Sequence, residues 1–227
     1  MYLHRKVGAV IVAAGASSRM GGIDKMFAPL EGKPVLARVV SAFERAPSVD
    51  RIAVVLNAHN IARGRNLAAS EDWQKVDAIV AGGPLRQDSV LAGLDALSDC
   101  EWAVIHDGAR PLVSVQLIEE GIEQAQETGA AVCAVPVTDT VKEESGGFVA
   151  RTIDRGPLRL VQTPQVFRSD IIRQAYAGDM TAQVTDDAGL VEAACMVKIY
   201  PGDYTNIKIT TPADLVVAGV FWRRKEC

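Results

Sequence analysis

The sequence predicts an α/β fold in which a mostly parallel sheet carries helices on both faces and a β-arm protrudes. Short apolar runs rich in Val and Ile recur along the chain, and such runs are typical of strands buried on both faces. Helical patterns separate these runs, and the strand–helix alternation predicts parallel pairing. The alternation stops between residues 139 and 161, where short extended pieces around a glycine turn predict a hairpin-like arm.

The first part of the chain supplies five predicted strands and four predicted helices. The first strand begins at Val7 and ends before Gly15, and the next four cover residues 52–56, 76–81, 102–106 and 130–137. The helices are predicted over residues 34–46, 59–69, 88–97 and 114–128. Pro34 suits the first turn of its helix. An apolar stripe marks the face that each helix turns toward the core, and it is weakest in the second helix.

After the arm, the alternation resumes with shorter elements. Helices are predicted over residues 169–176 and about 186–194, and strands over residues 196–200 and 206–209. The last helix is expected to start at Thr210, with a proline at its first position and an acid in its first turn. The elements predict one Rossmann-like domain over residues 1–227. The arm, residues 139–161, has too few apolar residues for a core of its own, so it must pack on the main domain or on another subunit.

Composition excludes several classes of function. The chain has 227 residues, and its apolar content of 48% supports a sizeable core. A net charge of -4 gives no basic surplus, so nucleic acid is not expected as a partner. No apolar run approaches the length of a membrane span, and no signal peptide is recognisable, so no membrane partner is expected either. The four cysteines lack metal-like spacing, which favours a reduced, cytoplasmic protein.

A glycine-rich loop runs from Gly15 to Lys25, directly after the first strand. Its glycines, which include Gly21 and Gly22, permit unusual backbone angles, so backbone amides can turn toward a ligand. Arg19 and Lys25 add two cations, and this combination suits a polyphosphate. The spacing fits neither the P-loop motif nor the dinucleotide fingerprint. The alternative interpretation is an ordinary strand-to-helix turn with two solvated cations.

Four positions with distinctive chemistry follow predicted strands. Gly15, Gly82, Asp107 and Thr138 each lie just after a strand. Ligands of open α/β sheets bind beyond the carboxyl ends of the strands. We therefore expect these positions to share one edge of the sheet and to mark the binding site.

Residues 106–111 form the most specific motif. An acid directly after a buried strand, here Asp107, suits Mg²⁺, which prefers carboxylate and phosphate oxygens. Arg110 offers a bidentate fork to a phosphate. The alternative role for Asp107 is helix capping or a buried ion pair with Arg110. His106 is expected to be a hydrogen-bonded supporting residue and not a catalytic one.

The motifs carry a resemblance to known families. The glycine-rich loop is similar to the signature loop of nucleotidyltransferases that activate sugar or polyol phosphates. Residues 82–89 resemble the base- and ribose-binding segment of cytidylyltransferases, although Asp88 or Ser89 alternatively caps a helix. Residues 106–111 resemble the His-Asp-Ala-Ala-Arg-Pro motif of the methylerythritol phosphate cytidylyltransferases, with Gly108 in place of one alanine.

The resemblance to that family extends from about residue 7 to residue 217, with its motifs in family order. Further matching segments are residues 136–142, 154–155, 160–165, 185–187 and 206–210. The main departure is Met26, where the family usually has Gln. Because Lys25 is kept, we expect the reaction to be unaffected.

The resemblance implies transfer of CMP from CTP to 2-C-methyl-D-erythritol 4-phosphate, with release of pyrophosphate and with Mg²⁺ as cofactor. By the same resemblance, the catalytic residues are Arg19, Lys25 and Lys208. Those that bind CTP are Ala13, Ala14, Gly15, Ala16, Ser18, Arg19, Lys25, Gly82, Gly83, Ser89, Asp107 and Gly108. Those that bind the polyol phosphate are Asp107, Arg110, Thr140, Arg155, Thr163 and Thr185. Asp107 is also the implied Mg²⁺ ligand.

The arm acquires a specific role from the resemblance. Family members are homodimers whose arms cross to the neighbouring subunit, so residues 139–161 are expected to serve dimerisation. Each site would then join Lys25 of one chain with Arg155 of the other.

Three alternative interpretations remain at this point. A ribitol-5-phosphate or other sugar-phosphate cytidylyltransferase shares the CTP half of the site and differs in the polyol pocket. The Gly-Gly-x-Asp-Lys end of the loop favours the molybdenum-cofactor nucleotidyltransferases, which are not expected to carry Ala-Arg-Pro. A non-catalytic nucleotide-binding regulator on the same fold could lose Lys25 or Lys208 freely, yet both lysines are present.

Overall fold

A computed structural model of the chain describes residues 5–178 and 186–226. Its strands, in chain order, are β1 (Val7–Ala13), β2 (Pro29–Leu30), β3 (Lys33–Pro34), β4 (Arg51–Leu56), β5 (Val76–Ala81), β6 (Trp102–Asp107), β7 (Ala130–Pro136), β8 (Val141–Ser145), β9 (Phe148–Ile153), β10 (Arg159–Arg168) and β11 (Lys198–Pro201). Its helices are α1 (Val35–Arg45), α2 (Ile61–Ser70), α3 (Arg86–Ala96), α4 (Val115–Thr128), α5 (Ser169–Tyr176), α6 (Ala188–Val191) and α7 (Pro212–Glu226).

A seven-stranded sheet in the order β11-β7-β10-β6-β1-β4-β5 forms the centre of the structure. Strand β10 pairs antiparallel with both of its neighbours, β6 and β7, and the other pairings are parallel. The predicted mostly parallel sheet is confirmed. The antiparallel strand β10 was not predicted, and it lies between β6 and β7.

Both faces of the sheet carry helices, as predicted. Alternate residues of β1 point to opposite sides, so Ile11 joins the cluster packed under α1, α2 and α4, and Val10 joins the cluster under α3, α5 and α6. Helix α3 lies especially close to the sheet at Gly93, where a Cβ atom would overlap Cγ1 of Val10 and lie 3.0 Å from Cγ2 of Val55. A third, smaller apolar cluster fixes α7 against the β2–β3 hairpin.

Several expected elements differ in the structure. The predicted strand 206–209 is an irregular segment, because Ile209 N donates to Ala109 O, at 2.8 Å, instead of to a sheet neighbour. The predicted helix 186–194 contains only the single turn of α6. Helix α3 starts two residues earlier than predicted, at Arg86, because the side chain of Asp88 accepts a hydrogen bond from Leu85 N, at 3.0 Å.

The arm protrudes as expected. Strands β8 and β9 pair only with each other, as a separate two-stranded sheet. Phe148 and Val149 on this hairpin are 80% and 64% exposed. The chain then returns into the main sheet as β10. Among the described helices, none has the length and apolar character needed to cross a membrane.

Candidate active site

A cleft of about 330 Å³ lies at the carboxyl ends of β1, β4 and β6 and beside the loop after β5. The predicted residues that line it are Ala13, Ala14, Gly15, Ala16, Lys25, Gly83, Ser89, Asp107 and Lys208. The positions after β1, β5 and β6 therefore share one edge, as predicted. The fourth position, Thr138, is not among the cleft-lining residues, because β10 separates β7 from β6.

The glycine-rich loop turns back on itself and brings Lys25 into the cleft. Gly21 and Gly22 have φ values of 60° and 88°, in the left-handed region that glycine favours. Gly15 is not among the residues with positive φ. The hydroxyl of Ser17 accepts a hydrogen bond from Lys25 N, at 3.4 Å, which fixes the end of the loop.

Two of the predicted catalytic cations, Lys208 and Arg19, act on the third, Lys25. Burial lowers the pKa of Lys25, and the charges of Lys208 and Arg19 lower it further. Lys25 and Lys208 both line the cleft, whereas Arg19 is exposed on the adjoining loop. Ser18 lines a second cleft, which shares Gly15 and Ala16 with the first. The loop thus presents positive charge where a polyphosphate would lie.

Among the described residues, Asp107 is the one carboxylate on the wall of the main cleft. Lys208 Nζ lies 2.9 Å from its Oδ2, Arg110 Nε lies 3.5 Å from Oδ2, and Arg86 Nε lies 3.6 Å from Oδ1. Burial alone would raise the pKa of Asp107, but these cations hold it well below its usual range. Asp107 is therefore ionised at neutral pH. The ion pair with Arg110, given above as the alternative role for Asp107, is present.

Two buried side chains support Asp107 from behind. Thr163 Oγ1 accepts a hydrogen bond from Asp107 N at 3.1 Å, and it lies 3.0 Å from Nδ1 of His106. The other ring nitrogen of His106 lies 3.2 Å from Arg110 O. Burial lowers the pKa of His106 to about 4, so its ring is neutral at neutral pH. His106 is thus buried and hydrogen-bonded, as predicted.

The turn after β5 packs tightly against the start of the glycine-rich loop. A Cβ atom at Gly82 would overlap Ser89 Oγ and lie 2.5 Å from the Cβ atom of Ala14, so this turn requires glycine. Ser89 is buried, and its hydroxyl donates to Leu85 O at 3.3 Å. Asp88 takes the capping role that the sequence offered as an alternative.

Gly108 and Arg110 complete the part of the site near β6. A Cβ atom at Gly108 would lie 2.8 Å from that of Ala13 and 3.2 Å from Sδ of Met26, so Gly108 packs behind the cleft wall. Arg110 Nη1 donates to Asn206 O at 2.8 Å. This bond ties the residues after β6 to the irregular segment that carries Lys208.

Of the predicted substrate-binding residues that the structure describes, four are not among the residues that line this cleft: Arg110, Thr140, Arg155 and Thr163. Thr140 and Arg155 lie exposed at the base of the arm, where the Arg155 guanidinium donates to the carbonyl of Thr138. Thr185 lies outside the described residues. Thr163 is buried behind Asp107 and is not among the cleft-lining residues.

The structure adds residues that the sequence did not indicate. Asn57 lines the cleft directly after β4, and the rule about carboxyl ends of strands could have found it. Arg86 also lines the cleft and donates to the buried Asp187 at 2.7 Å. Asp187 in turn accepts a hydrogen bond from the Tyr176 hydroxyl at 2.6 Å. Arg86 belongs to segment 82–89, but nothing in the sequence near either residue indicates a contact between Arg86 and Asp187.

Comparison with known proteins gives consistent results. Residues 7–224 match the family model described as IspD: 2-C-methyl-D-erythritol 4-phosphate cytidylyltransferase. A protein of that name from Dehalococcoides mccartyi is 54% identical, over 99% of both chains. The crystal structure of 4-diphosphocytidyl-2C-methyl-D-erythritol synthase from Anaerococcus prevotii has a TM-score of 0.85 at 30% identity, and covers 96% of both chains. That of 2-C-methyl-D-erythritol 4-phosphate cytidylyltransferase from Thermus thermophilus has a TM-score of 0.79 at 33% identity, over 96% of this chain and 99% of that one.

Proposed function

Because the chain belongs to the 2-C-methyl-D-erythritol 4-phosphate cytidylyltransferase family, it transfers the cytidylyl group of CTP to that polyol phosphate, and we propose that the cleft around Asp107 is where it does so. The observation that supports this proposal most strongly is that Lys25, Lys208 and Asp107 lie together at one edge of the sheet, beside the Gly82–Ser89 turn. The chain is thus a nucleotidyltransferase of isoprenoid precursor biosynthesis. The family match favours this activity over the ribitol-5-phosphate, molybdenum-cofactor and non-catalytic alternatives.

The chemistry requires little acid–base help from the protein. The substrate phosphate is the nucleophile, and a phosphate monoester with a second pKa of about 6 is mostly dianionic at neutral pH. No general base is therefore needed, which agrees with a buried, neutral His106. The difficulty is to bring two anions together in line, and this calls for cations, backbone donors and exact placement.

In our proposal, the cations in and beside the cleft hold the two anions in line. Arg19 and Lys25 hold the phosphates of CTP and the leaving pyrophosphate. Lys208 turns from Asp107 to the α-phosphate as negative charge builds there. Arg110, which already lies beside Asp107, binds the incoming polyol phosphate. The tight turn at Gly82 and Gly83, with Ser89 at its back, reads the cytosine and the ribose.

We also propose Mg²⁺ as the cofactor. Within the described residues, no group of three or more His, Cys, Asp or Glu side chains is placed to hold a metal ion. Mg²⁺ is commonly bound by only one or two carboxylates together with substrate phosphates, so a single ionised Asp107 beside a polyphosphate cleft fits this cation. Asp107 would be its protein ligand. When bound, Mg²⁺ would neutralise part of the phosphate charge and orient the triphosphate.

A turnover assay tests the activity and its substrate. Pyrophosphate release is measured with CTP and Mg²⁺, with 2-C-methyl-D-erythritol 4-phosphate or ribitol 5-phosphate as the acceptor. We expect release with the first acceptor and little with the second. Faster turnover with ribitol 5-phosphate would overturn the choice of substrate. Release that persists after removal of divalent cations with a chelator would overturn the role of Mg²⁺.

We further propose that the protein acts as a homodimer whose arms cross between subunits. The support is the exposure of Phe148 and Val149 on a hairpin whose strands, within the described residues, pair with each other and not with the main sheet, since exposed apolar groups of this kind mark interaction surfaces. Arg155 and Thr140, which the resemblance gives to the substrate phosphate, also lie on the arm and away from the lining of the chain's own cleft.

Mixing two inactive variants tests the crossed arms. We expect Lys25→Ala and Arg155→Ala each to be inactive alone. Random re-pairing makes about half of the dimers mixed, and each mixed dimer has one intact site of two, so about a quarter of the wild-type sites return. No recovery in verified mixed dimers would show that Arg155 does not serve the neighbouring site.

Finally, we propose a cytoplasmic location. The three described cysteines, Cys100, Cys133 and Cys195, are free thiols, as expected in a reducing compartment. Fractionation of cells that express the protein tests this, and recovery in a membrane or extracellular fraction would refute it.

A further inference from the structure

We propose that Arg86 is a positioning residue for the reaction, anchored from behind by Asp187 and fixing the carboxylate of Asp107 in the cleft. The inference rests on the proposed function and extends it to a residue outside the predicted set. Arg86 lies in the first turn of α3, and its side chain reaches the wall of the cleft.

The guanidinium of Arg86 spans two carboxylates. Its Nη2 donates to Asp187 Oδ2 at 2.7 Å, and its Nε lies 3.6 Å from Asp107 Oδ1. The donors of a guanidinium are fixed in one plane. Because the Arg86 guanidinium is bonded to Asp187 on one side, its other side faces Asp107 in a single orientation.

Asp187 is itself immobilised. Its side chain is fully buried, and its Oδ1 accepts a hydrogen bond from the Tyr176 hydroxyl at 2.6 Å. The next residue, Ala188, donates its backbone N–H to Gln165 Oε1 on β10 at 3.1 Å. A buried carboxylate without its partner is strongly unfavourable, so Asp187 keeps Arg86 in place.

The other two cations at Asp107 have different duties. Lys208 has a side chain that is 40% exposed, and in the proposed reaction it turns to the α-phosphate. Arg110 serves the incoming phosphate. Arg86 is then the cation that stays with Asp107 while the α-phosphate of CTP and the incoming polyol phosphate are both in the cleft. Without Arg86, Asp107 loses its fixed partner at the moment when the reacting groups must be aligned.

Removal and chemical replacement of the guanidinium test the inference. We expect Arg86→Ala to lower kcat by about 10²-fold, as for a misplacement of about 1 Å in an active site, with little change in the Kd for CTP. Asp107 and Asp187 then face each other across a cavity of guanidinium shape. Added guanidinium ion, at a concentration that does not denature, should restore kcat in part and raise the Tm of the variant. Urea, which is similar in shape but neutral, should do neither.

Two more variants separate positioning from charge and from folding. Arg86→Lys keeps the charge but cannot bridge both carboxylates, so its kcat should remain low. Asp187→Asn still accepts from Tyr176 but no longer anchors Arg86, so it should also lose kcat. The matched control is Arg173→Ala, which removes an arginine paired with Asp95 at 3.0 Å on the surface. It should keep wild-type kcat.

The possible outcomes are distinct. Wild-type kcat in folded Arg86→Ala or Asp187→Asn would overturn the inference. So would a loss confined to the Kd for CTP, which would make Arg86 a direct CTP ligand. If Arg86→Ala does not fold, as judged by circular dichroism, Asp187→Asn decides. An inactive wild-type protein would refute the proposed function instead, whereas active wild type with unaffected variants would refute only the role of Arg86.

Discussion

Substitution of alanine for Gly93 is expected to weaken both the fold and the site. Helix α3 lies against β1 and β4 at this glycine, and a Cβ atom there would overlap Val10 and press on Val55. Both valines are fully buried and β-branched, so neither side chain has room to turn away. The helix must therefore move off the sheet. Ser89 lies one turn earlier on the same face of α3. Ser89 would therefore also shift relative to the turn at Gly82 and Gly83.

The size of the effect follows from two opposing contributions. Alanine in place of glycine favours a helix by about 1 kcal/mol. Carbon atoms in contact prefer about 3.5–4.0 Å, whereas the new Cβ would lie 3.0 Å from Val55 and closer still to Val10. Overpacking of this kind costs about 1–3 kcal/mol. We expect a net loss of about 1 kcal/mol in the free energy of unfolding, together with a higher KM for CTP.

Gly219 provides the matched control. It also lies within a helix, α7, and a Cβ atom there would lie 3.0 Å from the flexible end of Glu31 and at ordinary contact distance, 3.7 Å or more, from Arg223 and Leu30. Gly219→Ala should therefore stabilise the protein by up to about 1 kcal/mol. The Tm values of the two variants should then differ by about 4–8 °C, given about 2–4 °C per kcal/mol for a chain of this size. A Tm for Gly93→Ala equal to or above that of Gly219→Ala would refute the reasoning.

Three further predictions concern the cleft and its ionisable groups. CTP should turn over faster than ATP, GTP or UTP, because the tight Gly82–Ser89 turn leaves little room for a purine; comparable turnover with GTP would contradict this. Lys25→Ala and Lys208→Ala should each lower kcat by about 10²–10³-fold, more than they weaken CTP binding in equilibrium titrations; near-normal kcat would remove the assigned role. Because burial lowers the pKa of Lys25, activity should fall at a pH below the ~10.4 of an ordinary lysine, and Lys25→Arg should shift that fall to higher pH. A fourth prediction concerns stability. The folded state disfavours protonation of His106, so unfolding free energy should drop as pH falls from about 6.5 toward 4, and His106→Asn should show a smaller drop in urea titrations.

The sequence predicted the parallel part of the sheet because its strands are unbroken apolar runs. It could not predict β10, since Pro164 interrupts that segment, and proline is rarely found within a central strand. The structure accommodates Pro164 with a register shift between Val161 and Gln165. Thr163 lies at this irregularity and supports Asp107, so the interruption that prevented prediction of the strand also contributes to the site.

The candidate site was predictable as far as it lies on local motifs. Lys25 ends the glycine-rich loop that follows β1, Asp107 ends β6 and Ser89 lies in the first turn of α3, and the cleft brings them together. The anchoring of Arg86 was not predictable, because its partner Asp187 lies far along the chain, and neither of the two motifs that contain these residues indicates a contact between them. Segment 206–209 alternates like a strand, but its backbone bonds to the loop after β6.

The position of β10 has a consequence for the order in which the protein folds. Strands β1, β4, β5 and β6 pair with one another and are complete once residue 107 has been synthesised. Strand β7 is made next, yet both of its neighbours, β10 and β11, come later in the chain. The two parts of the sheet therefore remain separate until β10 arrives and pairs with both. Such a late, long-range closure is intrinsically slow. The same step brings Thr163 to Asp107. In a nascent chain, the proposed active site is therefore complete only after β10 has joined the sheet.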